Sequence, residues 1–479
     1  MADDIDRAQQ QLAQDIADAT SGEDKQLSLK VRELGEQLAR LLSGLLRMAR
    51  MHALTNAAFD APVSQFRGIL RELWEMLGTV NLVCVEDQVY VNDVRIRFEM
   101  SAEHVESLAD DLARHGVGGI SFNQVLEEVD VRKLVELFHE LPPEDAPPRP
   151  TLQKKLAEAG MVSMELHGLF RFKVQDEVAR SLDRDYALLY TMAVAVVGEA
   201  FTNISADRLP NPIPVRRMIN ELIDAAKLCS TADLATDHDR TFTPLARHTM
   251  MVVDLSLLLG KAAGLSDEVL ADLGIAAAFH DVGSAMTDGG YPVPYERHAT
   301  AGLRALMRQR GFHQAKTRRL LAVAEHHNPF ESERGRPSLF ARIIHIVDDY
   351  DLMTRNRPNE GPVMAPTDAL ARMIKVSGTV YDPVLLQVFV NQMGMFPPGS
   401  LLALASGRTV VSVSGARSPE TFAKPLCHVL RREDGTPARK GTYVDLAEED
   451  RIFKLLRPRP ERATGIDNPK TATSWMPDR

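Results

Sequence analysis

His280 and Asp281 stand side by side in Gly274-Ile-Ala-Ala-Ala-Phe-His-Asp-Val-Gly283, at the end of an apolar run that reads as a helix. An imidazole beside a carboxylate at a helix end can hold metal ions against phosphate. Further candidate ligands lie on both sides: His248 on the preceding apolar segment, His298 beyond the next loop, His326 with His327, and Asp348 with Asp349 and Asp351. Buried polar groups cost free energy unless something satisfies them, and a core without metal has little use for so many. The pattern therefore demands a fold in which several helix ends and polar helix faces converge on one cavity.

Composition sets the wider bounds. At 479 residues with 44% hydrophobic residues, the chain is too long for one ordinary domain and too apolar to be disordered, so two or three folded units are expected. Cys84, Cys229 and Cys427 are far apart and in no metal spacing, which fits a reducing cytoplasm and offers no persuasive nucleophile. The start Met1-Ala-Asp-Asp-Ile-Asp6 is acidic, and no segment has the length and apolarity of a membrane span, so a cytoplasmic protein without membrane insertion is expected. A net charge of −10 argues against a general DNA or RNA binder. It leaves room for a small phosphorylated substrate whose charge is met locally.

Along the chain, Leu27, Val31, Leu34, Leu38, Leu41, Leu45 and Met48 form a heptad seam, which suits either a homodimer interface or an amphipathic helix packed on its own domain. The alternating run Val80 to Phe98 reads as an antiparallel meander with turns at Glu86-Asp87 and Asn92-Asp93. Pro142 to Pro150 is rich in proline and reads as a connector. The expected organisation is a flexible tail over 1–26, an α+β sensory or assembly module over 27–141, a connector and linker over 142–175, a helical layer with the ligand-bearing domain over 176–396, a small β appendage over 397–456 and a disordered tail over 457–479.

Read in order, Arg247-His248, His280-Asp281-Val-Gly-Ser284, His298-Ala-Thr-Ala-Gly302, His326-His327-Asn328, the helix Arg342 to Thr354 with Asp348 and Asp351, and Arg357-Pro358-Asn359 resemble the HD superfamily of metal-dependent phosphohydrolases, in particular its HD-GYP branch, which hydrolyses cyclic di-GMP. The likeness runs from about Leu245 to Met395. It implies a mainly α fold: an HD-type helical bundle, here with the N-terminal α+β module and the small C-terminal β appendage. The departures are specific. The Gly-Tyr-Pro loop is replaced by Asn328 to Pro337, and Gly290-Tyr291-Pro292 occurs elsewhere in a turn-rich stretch. Ser284 stands for the family's Lys, Asn328 for its Glu, Asn359 for its Tyr, and Pro244 for a Glu that supports a third metal in some members.

The resemblance implies two transition-metal ions bridged by Asp281, with His248, His280 and Asp348 completing one shell and His298, His326 and His327 the other. Nitrogen and oxygen donors without thiolate favour Fe or Mn and admit Ni or Zn. The alignment of Arg342 and Thr354 places the ligand at Asp348 rather than Asp349. Asp281 and Asp351 are the candidate catalytic residues. Asp351, one helical turn beyond Asp348, suits a proton relay at the bridging water or the orientation of a ligand histidine. Arg357 suits a bidentate contact with substrate phosphate or a helix-end salt bridge. His345, His313 and His428 are assigned no role. The function implied is a metal-dependent phosphodiesterase acting on cyclic di-GMP in bacterial signalling. The alternatives are a catalytically silent HD scaffold or nucleotide sensor, and an HD phosphohydrolase for another nucleotide.

Overall fold

The computed structural model describes residues 2–20, 23–85, 88–92, 94–96, 103–140, 148–169, 186–206, 212–226, 243–288, 291–308, 314–333, 335–354, 364–439 and 441–456. Two helices open it, α1 (Ala2–Thr20) and α2 (Glu23–Met51), followed by α3 (Asp60–Leu77). Strands β1 (Val80–Val85), β2 (Gln88–Val91) and β3 (Val94–Ile96) then form the expected meander, in which Asn92 takes the left-handed conformation of a turn residue and bonds Asn81 and Thr79. Helix α4 (Glu103–Ala113), strand β4 (Val117–Phe122), helices α5 (Glu128–Glu140) and α6 (Pro148–Glu158) and strand β5 (Met164–Gly168) complete an antiparallel sheet in the order β3-β2-β1-β4-β5.

One open reading is decided and two expectations change here. Leu34, Leu38 and Leu45 of the heptad seam are buried against Phe66, Leu70 and Leu134 in the module's own core, with Leu27, Leu41 and Met48 packed beside them. Of the two readings the seam allows, this is the amphipathic helix packed on its own domain. Residues 148–168, expected in the connector, form α6 and β5 and extend the sheet. Pro148 and Pro150 stand in the first turn of α6, where a missing N–H removes no helical bond. The flexible tail expected over 1–26 contains α1, whose Leu12 is buried in the core of the following domain and whose Asp15 pairs with Arg342.

That second domain is helical: α7 (Tyr186–Ser205), α8 (Pro212–Ala226), α9 (Pro244–Ala262) and α10 (Asp267–Phe279) lead into a short hairpin of β6 (Thr287–Asp288) and β7 (Tyr291–Pro292), then α11 (Tyr295–Met307), α12 (Gln314–Glu325), α13 (Leu339–Thr354), α14 (Pro366–Lys375) and α15 (Pro383–Met393). Starts are written into the sequence. Thr243 caps α9 with Pro244 in its first turn, and Asp382 caps α15 ahead of Pro383. The Asp382 carboxylate also takes Arg342 at 2.6 Å, tying α13 to α15. The module's sheet lies against α8, with Val83, Val85 and Tyr90 buried around Ile213 and Gln88 bonded to Glu221 at 3.0 Å. Burial on both faces explains why β2 is buried along its whole length.

A second antiparallel sheet, in the order β11-β10-β9-β8-β12, is built from β8 (Leu401–Leu404), β9 (Thr409–Ser412), β10 (Leu426–Arg431), β11 (Tyr443–Asp445) and β12 (Ile452–Leu456) around a small core of Leu402, Val410, Cys427 and Val444. Burial pushes the thiol pKa of both Cys84 and Cys427 up to about 12, so neither offers a thiolate. Cys229, Arg357, Asn359 and residues 457–479 lie outside the described residues. Among the described residues, no helix is long and apolar enough to cross a membrane.

Candidate metal centre

Five helices supply the cluster. His248 lies on α9, His280 and Asp281 at the end of α10, His298 on α11, His326 and His327 in the turn that ends α12, and Asp348 on α13. Glycine makes their convergence sterically feasible. A Cβ on Gly283 would sit 1.9 Å from the carbonyl oxygen of His298 and 2.8 Å from the nitrogen of Gly302, so the turn carrying Asp281 meets α11 backbone to backbone.

The resulting geometry has two centres. Donor atoms of Asp281, His298, His326 and His327 all lie within 4.8 Å of one another, and so do those of His248, His280 and Asp281. Asp281 is common to both. Its Oδ1 is 3.0 Å from His298 Nε2 and 3.8 Å from His326 Nε2, while its Oδ2 is 3.8 Å from His248 Nε2 and 3.9 Å from His280 Nε2. Asp348 Oδ1 stands 3.1 Å from His248 Nε2 and 3.9 Å from His280 Nε2, outside the tighter group but on its border.

The rings are aimed from behind. His280 Nδ1 donates to the Ala277 carbonyl at 2.7 Å, His326 Nδ1 to that of Val323 at 2.9 Å, and His298 Nδ1 to that of Tyr295. A ring that donates through Nδ1 presents the Nε2 lone pair to the cluster. His248 follows the same plan with Asp351, whose Oδ2 is 2.7 Å from its Nδ1. Asp351 thus meets the far side of the His248 ring, which fits orientation better than the proton relay. Asp349 turns elsewhere, accepting the Tyr381 hydroxyl at 2.6 Å and standing 3.4 Å from His345. His345, given no role from sequence, also contacts the Asn328 backbone and so links the His326-His327 turn to α13.

The donor set fits a cation. His280 Nε2 is buried and has no hydrogen-bond partner among the described residues, and Asp348 Oδ1, though near His248, lacks the alignment of a hydrogen bond. Such groups carry an uncompensated desolvation cost unless an ion meets them. Burial lowers the His280 pKa to about 4 against the pull of Asp281 and Asp348, leaving a neutral ring. Burial and the neighbouring His326 likewise lower His327 to about 3. Burial also disfavours charge on His248, but the carboxylates of Asp348 and Asp351 outweigh it and raise that pKa to about 10. Asp281 is opposed by burial yet held well below the usual carboxylate range by His280, His298 and His326. Both carboxylates are ionised at neutral pH, Asp348 being lowered by His248 despite its burial.

Tyr295 was not legible as a site residue, although it lies one helical turn before His298. Its ring is stacked 4.8 Å from His298 and its hydroxyl is 3.0 Å from His327 Nε2. Ser284, half-buried, donates its backbone N–H to the Asp281 carbonyl at 2.9 Å and so follows directly on the Asp281 turn.

One family match spans all seven residues of the cluster. Residues 245–353 match the HD domain family. Over 310 residues the chain is 25% identical to the cyclic di-GMP phosphodiesterase PA4108 of Pseudomonas aeruginosa, covering 60% of this chain and 72% of that protein. Among solved structures, Bd1817, an HDG"Y"P protein from Bdellovibrio bacteriovorus, matches with a TM-score of 0.30 and 12% identity over 65% of this chain and 93% of that one. Residues 245–353 therefore form an HD domain.

Proposed function

We propose that this HD-domain protein is a metal-dependent phosphodiesterase whose substrate is cyclic di-GMP. The observation that carries the reading is Asp281, one carboxylate placed between two groups of inward-facing histidines. In this reading His248, His280, Asp281 and Asp348 hold one ion, and Asp281, His298, His326 and His327 hold the other. Iron or manganese suits these donors best. Bound there, a pair of ions supplies an activated water and neutralises the phosphoryl oxygens of a diester.

The chain's own residues prepare that chemistry. The carbonyls of Ala277, Tyr295 and Val323 and the carboxylate of Asp351 fix four rings, which makes Asp351 a positioning residue. Burial of His280, His326 and Asp348 keeps bulk water from the donors. Arg357, outside the described residues, is assigned to a substrate phosphate. The choice of cyclic di-GMP rests on the similarity to a phosphodiesterase for that nucleotide.

The test is anaerobic purification with metal analysis, then incubation with cyclic di-GMP and with a generic aryl phosphodiester. Hydrolysis of both is expected, with Ser284→Lys raising the rate at unchanged metal content because it adds a cation beside the developing phosphoryl charge. Hydrolysis of the aryl ester alone would point to another nucleotide. A fully metallated protein that cleaves neither, with or without Ser284→Lys, would overturn the enzyme reading in favour of a silent scaffold.

A further inference from the structure

His326 and His327 are placed differently from His248, His298 and Asp348, which stand inside helices. They are consecutive residues of the turn that follows α12. His326 makes a last helical bond, to the Ala322 carbonyl at 3.0 Å, and beyond it the backbone is set by the turn. Two neighbouring rings reach one cluster only if that turn is held from outside, and three contacts hold it. Before the pair, the Glu325 carboxylate accepts the N–H of Ser338, just ahead of α13, at 2.8 Å. After it, Phe330 and Glu331 donate their N–H groups to the carbonyls of Val380 and Thr379, both at 2.9 Å. Between these, His345 of α13 makes a hydrogen bond to the backbone of Asn328, the residue next to His327.

Building on the two-ion reading, we propose that His345 is a positioning residue for the His326-His327 pair. It is buried on α13 among Ile343, Ile344, Ile346 and Val347, and an imidazole at that depth costs free energy unless it is partnered. One partner is Asn328. The other is Asp349, one turn along the same helix, whose Oδ2 stands 3.4 Å from His345 Nε2 and accepts the Tyr381 hydroxyl at 2.6 Å. Tyr381 is buried too, with its ring 5.2 Å from that of His345, and it follows directly on the two carbonyls that take Phe330 and Glu331. The series Tyr381, Asp349, His345 and Asn328 therefore joins α13 and the 379–381 segment to the turn that carries the two ligands. Fixed outer partners of this kind keep ligating rings where an ion needs them.

The test places His345→Phe, which keeps a ring and removes both nitrogens, in two single-ion backgrounds of the full-length protein, with zinc affinity measured by titration. His248→Ala leaves the ion of His298, His326 and His327, and there His345→Phe should weaken zinc about 10-fold, the lower end of what a support of a ligating ring is worth. His298→Ala leaves the ion of His248 and His280, and there the affinity should not change. His345→Gln, which keeps an N–H donor, should recover most of the loss, and Tyr381→Phe, which releases Asp349, should show a smaller loss in the same background. Unchanged affinity in both backgrounds would overturn the proposal. So would an equal loss in both, the result of a bundle loosened as a whole. If His345→Phe shows no cooperative melt, Tyr381→Phe decides by the same comparison. A wild type that takes up fewer than two zinc ions would instead overturn the two-ion reading on which the proposal rests.

Discussion

Under the N-terminal sheet, Leu38, Leu42, Leu45, Phe66 and Leu70 are fully buried against one another, and the buried Asp111 there has Arg50 as its ion-pair partner. At the same depth in the HD bundle lie His280, His326 and Asp348, and part of their hydrogen-bonding capacity is unmet by the described residues. Apolar burial stabilises wherever it occurs, at about 25 cal/mol per Å² removed from water, and although Ser43 Oγ, Asp111 Oδ2 and His115 Nδ1 of the first core also lack partners among the described residues, they belong to no group of donors that could hold an ion. The second is a shell of apolar helices around polar groups that protein atoms do not satisfy. The difference teaches that the two regions should answer differently to the same perturbation: one senses packing alone, the other packing and an ion.

The largest effect should come from Gly283→Ala. Its Cβ would overlap a backbone carbonyl, which no side-chain rotation relieves, so the cost should exceed the roughly 1–3 kcal/mol of ordinary overpacking. Metal uptake should be lost and amide exchange in α9 and α13 should rise, while β1 and β4 stay protected. Retained metal and unchanged exchange would break the comparison at its steric foundation. Next comes chelation. Removing an ion present at about 100 times its Kd costs about 2.7 kcal/mol by mass action, and exchange should record that loss around Asp281 and not in the N-terminal core. Equal loss in both regions would show that they unfold as one unit and blur the contrast.

The same contrast explains what the sequence disclosed. His248, His280, Asp281, His298, His326, His327 and Asp348, which the fold gathers around one point, were readable because they set imidazoles and carboxylates where apolar residues would otherwise stand. The mainly helical class and the C-terminal sheet followed from periodicity and turn residues. The heptad seam was ambiguous for a physical reason: a stripe on α2 states that a face is buried, and only tertiary structure states whether Leu38 meets a second chain or Phe66 and Leu134. Docking of α1 rests on Leu12, Asp15 and a distant Arg342, a pairing without local signal. Tyr295 acts largely through its carbonyl, which every residue type has.

A smaller effect sharpens the boundary between the regions. Asp15→Asn leaves Arg342 paired with Asp382 but weakens the attachment of α1, at a cost of about 1 kcal/mol for one partly exposed charged contact. Limited proteolysis should then release α1 first, with metal content unchanged. Loss of metal together with α1 would mean that the helix supports Asp348 through α13, and the ion-dependent region would have to be drawn to include it.

The central claim is that one carboxylate serves two ions, and metal counting in single-ligand variants tests it most directly. Wild type, His248→Ala, His298→Ala and Asp281→Ala would be purified anaerobically and their ions counted per folded chain. The account predicts two ions in the wild type, one in each histidine variant and loss of both in Asp281→Ala, because only Asp281 belongs to both groups. An Asp281→Ala protein that still holds two ions would contradict it.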